Sequence, residues 1–235
     1  MKPFAVIAYC SHVDDHMIRS MESFRKIGKT EPIIMGQDRN PFSYGKKLRC
    51  LYELAKSGQY ETLISVDAWD TCATRPISEL YEEFRYHNLS MVVGAETNCF
   101  PNAALESSFP EVSTRYRFVN AGCWMADSRY FVEFGNRFGI PSLPDKPIGA
   151  ADDQALLTAA YLNYFTSRQE LEMPLDLDTH ARYFHNLFGA EDDWQVRNIY
   201  GDTLTYRVVS TESTPVIAHG NGKSNITRVM EAMGV

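Results

Sequence analysis

Short apolar runs that stop at small or acidic residues punctuate the first half of the chain: "FAVIAYC" (4–10), "EPIIMG" (31–36), "TLISVD" (62–67) and "MVVGAE" (91–96). Runs of this length without polar alternation are the pattern of strands covered on both faces. Between them lie "DDHMIRSMESFRKIG" (14–28), "YGKKLRCLYELAKSGQY" (44–60) and "PISELYEEFRYH" (76–87), whose apolar residues recur at helical spacing. In the last of these, Ile77, Leu80, Tyr81 and Phe84 make the stripe of a helix lying on a sheet. The alternation predicts an α/β fold with a mostly parallel central sheet flanked by helices. In such folds ligands collect at the carboxyl ends of the strands, and Asp67 stands at one such end.

The second half is less regular. It offers a strand at "GCWMADS" (122–128), a proline-punctuated loop at 139–149 and a helix at "ADDQALLTAAYLNYFTS" (151–167), whose early Asp152 and Asp153 suit the positive end of a helix. An extended piece at "PLDLDTH" (174–180), the aromatic-rich "ARYFHNLFG" (181–189), and strands at "WQVRNIY" (194–200) and "TPVIAHG" (214–220) follow, before a terminal helix in "NITRVMEAMG" (225–234). With no internal repeat and no low-complexity linker, residues 1–235 read as one domain.

Composition narrows the class. The chain has 235 residues, 44% of them hydrophobic and 23% charged, which supplies a core and excludes a disordered polymer. Five cysteines, an odd number scattered without a CxxC pair, suggest neither a disulfide framework nor a cysteine zinc site. A formal charge of −7 argues against unaided binding of a nucleic-acid duplex, yet leaves room for a nucleotide whose few phosphates are held locally. The opening apolar run is too short for a signal-peptide core or a membrane span, so the expectation is a cytoplasmic protein as given, with the secretory lumen reserved for a fragment of a longer chain.

"LISVDAWDTC" (63–72) carries the first candidate chemistry. Asp67 and Asp70 form a DxxD pair that suits a divalent cation such as manganese or magnesium if a turn brings the carboxylates together; the plainer alternative is a helix cap or exposed turn. Trp69 is either a stacking surface for a planar base or core packing. "HGNGKS" (219–224) adds an imidazole from His219, glycines 220 and 222 that let backbone amides approach phosphates, and the positive Lys223, without being a Walker loop.

Together, "GKKLRCL", "LISVDAWD", "PISELYEEF", "VVGAETNCFP", "YRFVNAGCWMA", "ADDQALL", "LDLDTHARYFHNL" and "VIAHGNG" run collinearly over most of positions 45 to 223. In these stretches the chain resembles the glycosyltransferase domain of the procollagen lysyl hydroxylase and glycosyltransferase family, whose members have the GT-A architecture and use UDP-sugars with manganese. The resemblance implies that Asp67, Asp70 and His219 hold Mn2+, that Trp69 stacks on uracil, that Lys47 rather than its neighbour Lys46 faces the diphosphate, and that Gly222 and Lys223 line the far side of the same phosphates. In the loosely matched first strand it suggests nucleoside contacts from Ala8, Tyr9 and Cys10. Residues 1–100 would be the nucleotide-binding half, and 101–235 the half that meets donor sugar and acceptor.

Asp152, Asp153 and Asn120 are the candidate catalytic residues by the same resemblance, although the acidic run before Gln154 is shorter than in the family. Glu96 is a candidate sugar contact, and Phe100 stands where the family has tryptophan. Asp176 and Asp178 are candidates for shaping the acceptor side; His180 and His185 read as residues that cap or pack a surface helix. The implied reaction moves glucose or galactose from UDP-glucose or UDP-galactose to a hydroxyl, on hydroxylysine or galactosyl-hydroxylysine of a collagen-like protein. A small glycoside or a modified DNA base remains open as acceptor, and so does a binding module without turnover.

Overall fold

The computed structural model describes residues 2–37, 42–145, 153–166, 175–200 and 203–235. Its centre is a six-stranded sheet built from β1 (Lys2–Tyr9), β2 (Ile33–Met35), β3 (Tyr60–Asp67), β5 (Met91–Glu96), β6 (Phe118–Asp127) and β7 (Asp176–Asp178), in the order β2-β1-β3-β6-β5-β7. The pairs β1·β2, β1·β3 and β5·β7 are parallel, while β6 runs antiparallel to both of its neighbours. The mostly parallel sheet expected from the sequence is present, with one reversed strand near its middle.

Both faces are covered, which is why the strands read as unbroken apolar runs. Along β3, Leu63 points into one core with Leu51, Trp124, Phe131 and Phe134, while Ile64 and Val66 point into the other with Met21, Phe24, Leu80 and Phe84. Helices α2 (Tyr44–Lys56), α4 (Ser128–Arg137) and α5 (Asp153–Thr166) supply the first core; α1 (Asp15–Lys26) and α3 (Ile77–Tyr86) supply the second. Asp14 caps α1 by accepting from Met17 N at 2.8 Å, and Asp127 caps α4 by accepting from the amides of Arg129 and Tyr130. Helix α4 was not among the expected elements, although its cap and its Tyr130, Phe131 and Phe134 stripe are written in the sequence.

A smaller three-stranded sheet decides where the site forms. β11 (Ile217–His219) lies between β4 (Thr71–Ala73), to which it is antiparallel, and β8 (Phe184–Asn186), to which it is parallel. The apolar run at 214–220 therefore yields a three-residue strand outside the main sheet. The strand expected at 194–200 is β9 (Trp194–Tyr200), and it pairs with an unanticipated β10 (Thr203–Val208). The terminal helix is α6 (Thr227–Ala232). No helix among the described residues is long and apolar enough to cross a membrane.

The reading of His185 as a helix residue is corrected. It sits on β8, fully buried, with its ring nitrogens 2.8 Å from the Tyr116 hydroxyl and 2.6 Å from the Tyr206 hydroxyl. Tyr116 in turn donates to Asp193 at 2.7 Å, so this network fastens the β9·β10 hairpin to the body of the fold. Burial holds the His185 imidazole neutral, lowering its pKa to about 3.

Candidate metal and nucleotide site

The site is built by a turn and a register. β3 ends at Asp67, and the chain turns through Ala68 and Trp69 to Asp70 before entering β4; the turn is closed by Thr71 Oγ1 donating to Asp67 O at 2.7 Å. In the β4·β11 pairing His219 lies opposite Thr71, and Gly220 N donates to Asp70 O at 2.7 Å, so the late strand delivers its imidazole beside both aspartates. The ligand atoms of Asp67, Asp70 and His219 lie within 4.8 Å of one another.

The orientation of His219 is fixed from behind. Asn186 Nδ2 donates to the Ala95 carbonyl at 2.8 Å, which turns Asn186 Oδ1 toward His219 Nδ1 at 2.7 Å. That oxygen only accepts, so Nδ1 carries the proton. Nε2 then faces Asp67 Oδ2 at 3.6 Å and Asp70 Oδ2 at 3.5 Å. A lone pair aimed at two carboxylates requires a cation or a proton between them. Burial alone would lower the His219 pKa, but Asp70, then Asp67 and Glu96, raise it overall. Two hard carboxylates and an imidazole with its second nitrogen occupied form a donor set that fits a divalent ion such as Mn2+ or Mg2+.

Gly122 makes room for this ring. A Cβ there would fall 2.0 Å from His219 Cε1. The backbone reaches the ring because β6 bulges: Val93 pairs with Trp124 but Gly94 pairs with Asn120, leaving Ala121 to Cys123 as extra residues, of which Ala121 and Gly122 border the cleft.

Lys47 is the next surprise of burial, only 1% exposed although it is a lysine. Its ammonium donates to Asp67 Oδ1 at 2.8 Å and lies 2.9 Å from Asp153 Oδ2. Burial would favour loss of its proton, yet the Asp153 and Asp67 carboxylates outweigh that and hold it charged. Lys46, one position earlier on α2, is half-buried, whereas Lys47 is the lysine that reaches Asp67 and Asp153. Asp152 lies outside the described residues.

A cleft of about 520 Å3 opens over these groups and is lined by Asp67, Asp70, Asn120, Asp153, His219 and Lys223, among others. Gly222 and Phe100 also border it, and Phe100 is exposed. A second cleft lies on the other side of Asp70 and Gly222, lined by Trp69, His12, His16 and Asn225. Trp69 is half-buried there, with His12 tilted over its ring at a centroid distance of 5.0 Å and Phe42 edge-on at 6.2 Å. Its indole N–H is buried and meets no acceptor among the described residues.

Other residues singled out in the sequence lie away from these two clefts. Ala8 and Tyr9 are buried, with Ala8 in the core beneath α1 and α3 and the Tyr9 ring packed on Phe42; neither borders the two clefts described above, because β1 is an interior strand covered on both faces. Cys10 is buried as well. Asp176 and Asp178 line a separate cleft with His180 that shares no residue with the two above. The Asp178 carboxylate accepts the backbone N–H groups of Arg182, Tyr183 and Phe184, an internal turn cap that takes up its oxygens. Asn186, His12 and Phe42 were not anticipated; a lone amide in a three-residue strand leaves no spacing pattern to read.

The sequence profile described as the PLOD GT domain matches residues 12–233. The chain belongs to the PLOD glycosyltransferase-domain family. It is 30% identical over 216 residues to the human multifunctional procollagen lysine hydroxylase and glycosyltransferase, covering 89% of this chain and 28% of that protein. It is 29% identical over 196 residues to a procollagen-lysine,2-oxoglutarate 5-dioxygenase of Drosophila melanogaster, covering 81% of this chain and 26% of that one. The chain thus spans about a quarter of the length of these relatives. In fold it is similar to the crystal structure of a glycosyltransferase involved in the glycosylation of the major capsid of PBCV-1, at a TM-score of 0.56 and 8% identity over 99% of this chain and all of the other. That likeness bears on fold alone, and it bears out the glycosyltransferase architecture. Asp67, Asp70, His219, Asn186, Lys47 and Asp153 all fall within the segment that matches the PLOD glycosyltransferase domain.

Proposed function

We propose that this domain transfers a hexose, glucose or galactose, from a UDP-sugar to an acceptor hydroxyl with the help of Mn2+. The observation that carries the reading is the convergence of Asp67, Asp70 and His219 beside the buried Lys47–Asp153 pair, at the junction of two clefts. In this reading the Trp69 cleft takes the uridine, and the larger cleft takes diphosphate, sugar and acceptor. Residues 1–100 then act as the nucleotide-binding half and 101–235 as the half that meets sugar and acceptor.

A divalent ion at the triad supplies Lewis-acid stabilisation of the departing diphosphate. The chain's own residues do the rest. Lys47 and Lys223 present positive charge to the same phosphates, and Gly222, with φ +66°, turns the backbone there without a side chain in the way. Trp69 offers a ring face to the base and an unused indole N–H to a polar edge. Asp153, held by Lys47 as a carboxylate, and Asn120 flank the space for the donor sugar, where they orient its hydroxyls and stabilise positive charge at the anomeric carbon.

The relatives named above are lysine hydroxylases and glycosyltransferases, which makes hydroxylysine or galactosyl-hydroxylysine in a collagen-like protein the acceptor to test first. The experiment is donor consumption with UDP-glucose and UDP-galactose, with Mn2+ or EDTA, followed by mass spectrometry of peptide and small-glycoside acceptors. Manganese-dependent consumption that disappears in Asp70→Asn is expected. Tight UDP binding with no consumption of any donor would replace transfer by a nucleotide-sugar-binding module.

A further inference from the structure

Glu96 ends β5 at the floor of the larger cleft and is only 3% exposed. It meets carboxamides from three distant parts of the chain. Asn120 Nδ2 and Gln154 Nε2 donate to its Oε1 at 3.0 and 2.8 Å, and Asn221 Nδ2 donates to its Oε2 at 3.0 Å.

The far end of every amide is occupied too. The side-chain oxygens of Asn120, Gln154 and Asn221 accept the backbone N–H groups of Gly122, Ala121 and Phe188 at 3.0, 3.3 and 2.9 Å. A backbone N–H can only donate, so each amide has one admissible orientation, with its NH2 turned to Glu96. One carboxylate therefore ties together the β6 bulge, the first turn of α5, the loop after β11 and the Phe188 segment.

We propose that Glu96 is a positioning residue: its carboxyl group locks Asn120, Gln154 and Asn221 in one orientation and so fixes the walls against which the donor sugar lies. This rests on the sugar-transfer reading above. It also revises the role suggested by sequence, since three donors already claim most of the acceptor positions of a carboxylate and leave Glu96 poorly placed to serve sugar hydroxyls itself. Its action runs through Asn120 and Gln154, which line the cleft, and through Asn221, two residues after His219.

The arrangement permits a reversal test, because Oε2 meets Asn221 while Oε1 serves the other two amides. In Glu96→Gln the new NH2 opposes an existing NH2; in Asn221→Asp two carboxylates oppose each other. In the double variant the introduced amide donates to the introduced carboxylate, and every hydrogen bond of the hub is restored with the net charge unchanged. The measurements, on the whole chain, are kcat and KM for UDP-sugar consumption, UDP affinity in Mn2+, and the thermal midpoint. Glu96→Gln is expected to lower kcat about tenfold or more with UDP affinity within about twofold of the parent, since mispositioning alone costs on that order. The double variant regains most of the lost kcat.

Equal kcat in parent and Glu96→Gln overturns the proposal. So does a UDP affinity that falls in step with kcat, which would mark a role in the fold alone, or a double variant no better than either single one. A parent chain that consumes no UDP-sugar overturns the sugar-transfer reading and the proposal with it. Should Glu96→Gln fail to fold, Glu96→Asp keeps the charge but withdraws it by one methylene, and the same loss of kcat at unchanged UDP affinity is required of it.

Discussion

The imidazole of His219 lies in the space that a side chain at Gly122 would need: a Cβ there would sit 2.0 Å from Cε1, 2.6 Å from Nε2 and 2.7 Å from Nδ1. Glycine at 122 is thus a condition for the His219 imidazole, the third member of the candidate metal triad, to stand where it does. Gly122→Ala is expected to push the ring off its Asn186 partner and weaken Mn2+ binding by about 10- to 100-fold, the usual effect of displacing a ligand or its support. Isothermal titration of Mn2+ into parent and variant checks it; an unchanged affinity would mean that the ring is free to move without loss.

Asn186 sets the tautomer of His219, so Asn186→Ala should weaken metal binding by about tenfold or more through an atom that never touches the ion. The pH dependence follows from the same pair. Metal needs Nε2 without its proton, and the two aspartates raise the His219 pKa above its ordinary value against the opposing effect of burial. Mn2+ affinity should therefore rise with pH through the His219 titration, by about tenfold per unit below it, and flatten above. Titrations at several pH values, each followed by electron paramagnetic resonance of free Mn2+, measure the slope.

Lys47 neutralises two carboxylates from a buried position, so Lys47→Met leaves Asp67 Oδ1 without this ammonium. Loss of one partner of a buried ion pair typically costs about 3–5 kcal/mol, and a lowered thermal midpoint is expected. The binding effects should have opposite signs: Mn2+ alone binds at least as tightly, because a competing cation has gone, whereas UDP with Mn2+ binds more weakly. If UDP affinity is unchanged, Lys47 does not face the phosphates.

His185 gives the fold an acid-sensitive joint. Burial depresses its folded pKa to about 3. Above pH 6.5 it is neutral in both the folded and unfolded chain; below that the unfolded chain takes up a proton that the fold refuses. Stability from this group is therefore full above about 6.5 and is lost as pH falls toward about 3, amounting to about 2 kcal/mol by pH 5. His219, with its raised pKa, works in the opposite sense and gains stability on acidification. Urea midpoints at pH 7 and 5 should fall more steeply with acid in the parent than in His185→Gln.

The sequence was most informative where chemistry and strand ends coincide. Asp67 and Asp70 could be placed because β3 is an apolar run that stops abruptly, and His219 because a second such run precedes "HGNG". Lys47 could be favoured only through the family motif, since two adjacent lysines on a helix offer periodicity no basis for choice. The amides escaped for a physical reason: Gln154 and Asn221 bridge backbone to Glu96 and Asn186 bridges backbone to His219, each through single hydrogen bonds that need no characteristic spacing. Strands β4, β8 and β11 are three residues each, shorter than a pattern of period two needs to declare itself. Ala8 and Tyr9 stand at a strand end that β2 and β3 on its sides and helices above shut in, which an apolar run alone does not announce.

The wedge of β11 between β4 and β8 has a consequence for biosynthesis. Asp67 and Asp70 leave the ribosome well before His219, so the growing chain carries the two carboxylates of the candidate triad long before its imidazole. If the triad holds an ion as proposed, tight capture waits for β11 to slot home between β4 and β8. On the proposed reading metal uptake is then a readout of that pairing, and a chain stalled or cleaved before residue 219 should bind manganese far more weakly however well its first strands have folded.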